Sequence, residues 1–336
     1  MQLPIQFTGL GHVNMYGLPD RRGIAIVDPG LPGRESWQAI TASLKKAGFR
    51  IRDVHSVVVT HSHPDHFGGA GRLAKEAGAQ VITHAEFSIP WLSKASPDVA
   101  SLEPGDDLSI DDEPADPTSM HLPWRAPGDI VRPPQIPSRL PLPLARLAWR
   151  FGRRFIDAPT PTRRLTDGET ISLADRDWVA VHTPGHTADH LCLFDPEERL
   201  FLAGDHVLPT ITPHISGIGC GPDPLSQYLA ALERVAQLDV ACALPAHGHP
   251  FTDLADRTKQ IADHHAARLD QLQQIYDAIG PATVEAFTHE MFRASQWGMM
   301  AESEVFAHLE HLRLDGKAHR QKVGGALVYD LRPADG

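Results

Sequence analysis

Val58-Val59-Thr60-His61-Ser62-His63-Pro64-Asp65-His66-Phe67-Gly68-Gly69 packs three histidines and an aspartate into six residues behind an apolar run. Val57, Val58 and Val59 have the pattern of a buried strand. His61 and His63 stand two apart, so an extended backbone sends both to one side. Asp65 and His66 then open a helix whose Gly68 and Gly69 permit close backbone approach. A strand end feeding a helix start is where α/β folds hold ligands. Imidazole is also the commonest metal-binding side chain.

The surroundings repeat the arrangement. Upstream, the apolar run 24–27 ends at Asp28-Pro29-Gly30, a turn signal. Residues 35–47 read as a helix with Trp37, Ile40 and Leu44 on one stripe, stopped by Gly48. A second helix is expected over 66–77 and a strand over 80–83. Downstream, three more strands each end on candidate ligands. Residues 178–182 lead to Thr183-Pro184-Gly185-His186, 200–203 to Gly204-Asp205-His206, and 240–244 to Pro245-Ala246-His247-Gly248-His249. A lone histidine after a strand is more often a satisfied polar residue than a ligand. Five such strand ends in one chain carry the signal. Strands alternating with helices predict a layered α/β domain.

The chain has 336 residues, which suggests about two domains at roughly 150 residues each. Its 42% hydrophobic content supports a sizeable core. The 31 basic and 42 acidic residues give −11, which argues against a surface that grips nucleic acid as a whole. Cys192, Cys220 and Cys242 form no CxxC pair, which fits a reducing, cytoplasmic setting. No signal sequence and no membrane span are expected.

Residues 97–165 interrupt the rhythm. Thirteen of the 29 prolines fall between 97 and 161. Eight acids cluster in 98–117 and seven arginines in 138–164. This reads as an insert over the domain surface. Its Arg150, Arg153 and Arg154, beside Trp149, Phe151 and Phe155, are expected to cap the site and hold an anionic substrate group. After residue 280 come a short helix opened by Thr283, an amphipathic helix over 303–315, and strands near 323 and 326–331. That succession reads as a winged-helix-like module.

The motif His61-x-His63-x-Asp65-His66, followed by His186, Asp205 and His247, resembles the metallo-β-lactamase-fold superfamily of metal-dependent hydrolases. The likeness covers about residues 5–260 without the insert. The Thr183-Pro184-Gly185-His186-Thr187 context is similar to the glyoxalase II-like branch of thioesterases and lactonases. The resemblance implies a four-layer αββα sandwich over residues 1–264, with a winged-helix-like domain over 265–336. It implies that His61, His63 and His186 hold one ion, that Asp65, His66 and His247 hold a second, and that Asp205 bridges. Nitrogen and oxygen ligands suit two Zn²⁺, with Fe or Mn as alternatives. Two such ions share a hydroxide that attacks the substrate carbonyl. Asp65, Asp205 and His206 are the expected catalytic residues.

The expected substrate is a small, anionic carboxylic ester or thioester, such as an acyl-CoA or a glutathione thioester. The alternatives are an endoribonuclease, favoured by the tail, and a lactonase or β-lactamase-like hydrolase. The tail is not strongly basic, which counts against nucleic acid. A homodimer is left open. His182, His190, His214 and His249 are candidates for orienting ligands, and Asp28 for turn or supporting work. His55, His84, His264, His265, His289, His308, His311 and His319 are expected at the solvated surface, and Tyr228 in the core.

Overall fold

The computed structural model describes residues 1–5, 11–89, 120–131 and 157–332. The chain divides into two compact units. The described residues of the first are 1–5, 11–89, 157–213 and 230–260, and those of the second are 120–131, 214–229 and 261–332.

The first unit begins with an antiparallel pair, β1 (Gln2–Pro4) and β2 (His12–Asn14). Next come β3 (Tyr16–Asp20), β4 (Gly23–Val27), helix α1 (Arg34–Lys46) and β5 (Val54–Val58). Two helices, α2 (Pro64–Phe67) and α3 (Ala70–Ala77), precede β6 (Gln80–His84) and β7 (Arg163–Leu165). The helix expected over 66–77 is thus broken at Gly68-Gly69. A Cβ on Gly68 would lie 2.1 Å from the Leu31 carbonyl carbon, so only glycine admits this approach. Strands β3–β4–β5–β6–β7 form one sheet in that order, parallel except for the β3/β4 pair.

The second sheet is built from β8 (Thr170–Leu173), β9 (Arg176–His182), β10 (Leu191–Asp195), β11 (Leu200–Gly204) and β12 (Cys242–Pro245), in that order. It is antiparallel until β12, which pairs parallel to β11. The sheets share a core. Ala25, Val27, Val58, Ile82 and Leu165 come from one, and Ile171, Leu173, Trp178, Leu191, Leu193 and Leu202 from the other. Each large apolar side chain so buried stabilises by about 1.5–3 kcal/mol. Trp178 keeps its indole N–H satisfied by donating to the Leu173 carbonyl at 3.1 Å. Helix α3 packs on β5 and β6. The unit is the expected α/β, four-layer sandwich.

Strand direction places the site. β4 and β5 run parallel, so their C-terminal ends share an edge. β11 and β12 run parallel, and β9 is antiparallel to β10, which is antiparallel to β11. All three therefore also end at one edge. The two edges are joined where the Leu191 N–H donates to the Thr60 carbonyl at 2.8 Å.

In the second unit, helices Val284–Met291 and Met299–Leu314 accompany a three-stranded sheet. Its strands are Ala282–Thr283, Ala326–Asp330 and His319–Val323. Thr283 caps the first helix, its hydroxyl accepting from the Ala286 N–H at 3.2 Å. The core holds Leu272, Phe287, Val305, Leu309 and Tyr329, and also Trp124 from the 97–165 insert. The Trp124 indole N–H donates to Glu302 at 2.9 Å, and Arg125 donates to both oxygens of Glu302. Residues 120–131 of the insert and 214–229 fall in this second unit with 261–332.

Three histidines expected at the surface are buried: His84 (4% exposed), His265 (0%) and His308 (2%). Polarity alone suggested the surface, but His84 closes a sheet strand, and His265 and His308 meet between helices. Tyr228 is in the core, as expected.

Candidate metal centre

Four of the five strand ends bring seven side chains into two groups of closely spaced ligand atoms. One comprises His61, His63, His186 and Asp205, the other Asp65, His66 and His247. In the first group, His63 Nδ1 lies 2.9 Å from His61 Nε2 and 3.1 Å from His186 Nε2. In the second, His247 Nε2 and His66 Nε2 each lie 3.5 Å from Asp65 Oδ2. Asp205 stands between the groups. Its Oδ2 is 3.6 Å from His186 Nε2 and 3.5 Å from His66 Nε2, and its Oδ1 is 3.3 Å from His247 Nε2.

The tautomers follow from the acceptors behind each ring. His247 Nδ1 is 2.7 Å from the His12 carbonyl, so it donates there and turns Nε2 inward. His66 Nδ1 donates to Asp28 Oδ2 at 2.9 Å, turning its Nε2 inward as well. The Thr60 hydroxyl donates to Asp28 at 2.8 Å and so accepts from His61 Nδ1 at 3.0 Å, which leaves His61 Nε2 bare. Asp28 also accepts the Thr60 N–H at 2.9 Å, and it holds φ +53 to do so. Strain of this kind persists where the surroundings over-determine it. Asp28 is therefore the buried anchor of two ligand rings, the supporting role of the two read from the sequence.

The donor set fits divalent metal. His66 Nε2, His247 Nε2 and Asp205 Oδ1 are buried without a hydrogen-bond partner among the described residues. Leaving such atoms unpaired costs about 1–3 kcal/mol each. One proton can join only a pair of the nitrogens gathered at His63, whereas a cation satisfies all of them at once. Metal–ligand bonds near 2.0–2.1 Å in a tetrahedron put ligand atoms about 3.3 Å apart, close to the spacings here.

The electrostatics agree. Burial and the neighbouring His66 hold His61 well below the ordinary imidazole range, and burial with His186 takes His63 to about 3. Both present lone pairs at neutral pH. Burial opposes charge on Asp205, yet His66 and His247 hold its carboxyl well below the usual range. Burial opposes charge on His247 too, and Asp205 and Asp65 outweigh it, raising the ring to about 10. The carboxylates draw positive charge into a buried site, which is the condition a cation meets.

A third group, His84, Glu86 and His182, also has ligand atoms close together. Its two rings are stacked, 3.8 Å apart at 13°. Their in-plane lone pairs run side by side and do not converge, so this group is unsuited to a shared ion.

The other histidines divide. His206 lies outside both ligand groups, and burial lowers its ring to about 3. His190 Nε2 accepts the Asp205 N–H at 3.0 Å. His182 Nε2 donates to the Ala188 carbonyl at 2.7 Å, and His214 faces Glu304 at 3.6 Å. His249 is exposed. The sequence singled out none of Thr60, Thr183 and Asp189. The Ser62 hydroxyl donates to Asp189 at 3.2 Å, and burial raises that carboxyl to about 6. Arg150, Arg153 and Arg154 lie outside the described residues.

A sandwich with such ligand groups at one edge defines a metal-dependent hydrolase. Residues 8–247 match the metallo-beta-lactamase superfamily, and the chain belongs to it. It is 23% identical over 322 residues to the probable metallo-hydrolase YqjP of Bacillus subtilis, spanning 94% of this chain and 92% of that protein. It is 28% identical over 225 residues to the acyl-coenzyme A thioesterase MBLAC2 of Gallus gallus, spanning 62% of this chain and 71% of that protein. A metallo-beta-lactamase family protein from Thermus thermophilus superposes with a TM-score of 0.72 at 26% identity, over 98% and 97% of the two chains. Among the described residues, no helix is long and apolar enough to cross a membrane.

Proposed function

We propose that the protein is a dinuclear metal-dependent thioesterase for a small acyl thioester of the acyl-CoA kind. The similarity to an acyl-coenzyme A thioesterase over 71% of that protein's length carries the substrate class. The two ligand groups with Asp205 between them support two ions per chain, and the all-nitrogen-and-oxygen set suits Zn²⁺, with Fe or Mn as alternatives. His61, His63 and His186 would hold one ion, Asp65, His66 and His247 the other, with Asp205 shared between them. When bound, two such ions supply an activated water and Lewis-acid polarisation of a carbonyl.

The chain's own residues do the rest. Asp28 and the His12 carbonyl fix His66 and His247 so that their Nε2 atoms face inward. Asp65 and Asp205 supply negative charge where the ions sit. Arg150, Arg153 and Arg154 are proposed to hold the phosphates of the leaving group by charge-assisted hydrogen bonds.

Thiol release from a series of acyl-CoA esters by metal-loaded protein tests the reading. The expected result is turnover that a chelator abolishes and added Zn²⁺, Mn²⁺ or Fe²⁺ restores. Turnover of a lactone, a β-lactam or single-stranded RNA without any of a thioester overturns it.

A further inference from the structure

Behind Asp205 the backbone is held by a ring of hydrogen bonds whose direction is fixed at both ends. The Ala203 carbonyl can only accept, and it takes the Cys192 thiol proton at 3.3 Å. Cys192 Sγ must then accept from the Thr183 hydroxyl, also at 3.3 Å. Thr183 Oγ1, its one proton spent, must accept from His190 Nδ1 at 2.7 Å. Neutral His190 is left with a bare Nε2, and the Asp205 amide, which can only donate, meets it at 3.0 Å. The two ends of the ring dictate the same proton on every atom. Both His190 and Cys192 are fully buried, and burial keeps the thiol protonated by raising it to about 12.

The ring leaves and re-enters the chain within three residues, Ala203 to Asp205. Between them, Gly204 takes φ +51, and a Cβ there would stand 2.6 Å from His190 Nε2. The imidazole therefore occupies the space a side chain at 204 would need. The Thr183 N–H also donates to the His190 carbonyl at 2.9 Å, tying the two segments by backbone. A fully satisfied buried network of this kind rigidifies what it holds.

We propose that His190, with Thr183 and Cys192, is a positioning device that sets the Asp205 carboxylate between the two metal groups, and thereby sets metal affinity. His190 touches no ion and no substrate. It acts through the amide of residue 205, and its ring also packs beside that of His61, 5.0 Å away. The inference rests on the dinuclear reading of the site but not on the substrate.

The test is metal affinity, read by competition with a chromophoric chelator and by the absorption of the cobalt-substituted protein. His190→Ala removes the acceptor for the Asp205 N–H. It should weaken binding of at least one ion about 10- to 100-fold, the range seen when groups that orient ligands are lost. His190→Gln offers an oxygen to the amide and an N–H to Thr183, and should recover most of that affinity. Thr183→Val cuts the ring elsewhere and should give a smaller loss, with the cobalt spectrum shifted in the same sense as for His190→Ala. Two tightly bound ions and an unchanged spectrum in His190→Ala overturn the proposal. If His190→Ala does not fold, Thr183→Val decides: unaltered affinity and spectrum overturn it, and weakened binding in a folded protein upholds it. An unaltered protein that binds no metal overturns the dinuclear reading together with this inference. Absent thioester turnover with normal metal binding touches only the substrate.

Discussion

Both units bury histidines against one another, and they do so in opposite ways. In the first, ring nitrogens of His61, His66 and His247 face inward toward each other and toward carboxylates. In the second, His308 Nδ1 donates to the Glu304 backbone carbonyl at 2.7 Å, so its Nε2 accepts from His265 Nδ1 at 3.1 Å. Every proton in that pair has one place to go. Burial is the same in the two regions, so burial does not mark a functional histidine. What marks it is ring nitrogens and carboxylates that converge in one small volume.

Metal removal tests this contrast most strongly. Stripping the ions with a chelator should lower the free energy of unfolding by about 4 kcal/mol for each ion held at a thousandfold excess over its Kd. Calorimetry with and without chelator measures this. A transition indifferent to chelator would make the first cluster no different from the His265–His308 pair. Asp205→Asn comes next. It keeps the shape and removes the charge between the groups. Turnover of the best substrate should fall at least about 10²-fold, with less metal bound. Near-normal turnover would take Asp205 out of the bridging role.

The second region should respond to acid. Burial, with His308 close by, holds His265 at about 3, below its ordinary 6.5. The unfolded chain therefore takes up the proton first as pH falls. The stability that depends on a neutral His265 is complete above about pH 6.5 and is lost between there and pH 3, at up to about 1.4 kcal/mol per pH unit. Denaturant titrations from pH 7 to 5 should show a shallower slope in His265→Asn than in the unaltered protein. Equal slopes would mean that His265 does not titrate on unfolding. The smallest expected effect is Thr283→Ala, which removes a helix cap for about 1 kcal/mol and should leave metal content alone. A change in metal stoichiometry there would sink the separation of roles between the units.

The site was legible because each of its ligands follows a strand, and a run such as Val57-Val58-Val59 announces its own end. Spacing could show that His61 and His63 share a side. It could not show that Thr60 and Asp28 set the His61 tautomer, since Asp28 and His61 meet only after two strands have paired. The Thr183–Cys192–His190 ring was hidden for the same reason. His190 and Cys192 stand two apart, as two residues on one face do, but nothing in their order reveals Thr183 opposite. His265 and His308 were misplaced because the burying surface is another helix 43 positions away.

Asn14 gives its side-chain N–H groups to the carbonyls of Pro245 at 2.9 Å and Gly248 at 2.8 Å. His247 is oriented by the His12 carbonyl, 235 positions earlier in the chain. A ribosome adding roughly 5–20 residues per second presents residue 12 at least about ten seconds before residue 247. During that interval the early strand waits without its partners, and His61, His63, Asp65 and His66 are already made. A nascent chain can therefore offer half a metal site to solution long before the other half exists. Loading in the final geometry belongs to the last moments of the first unit's assembly.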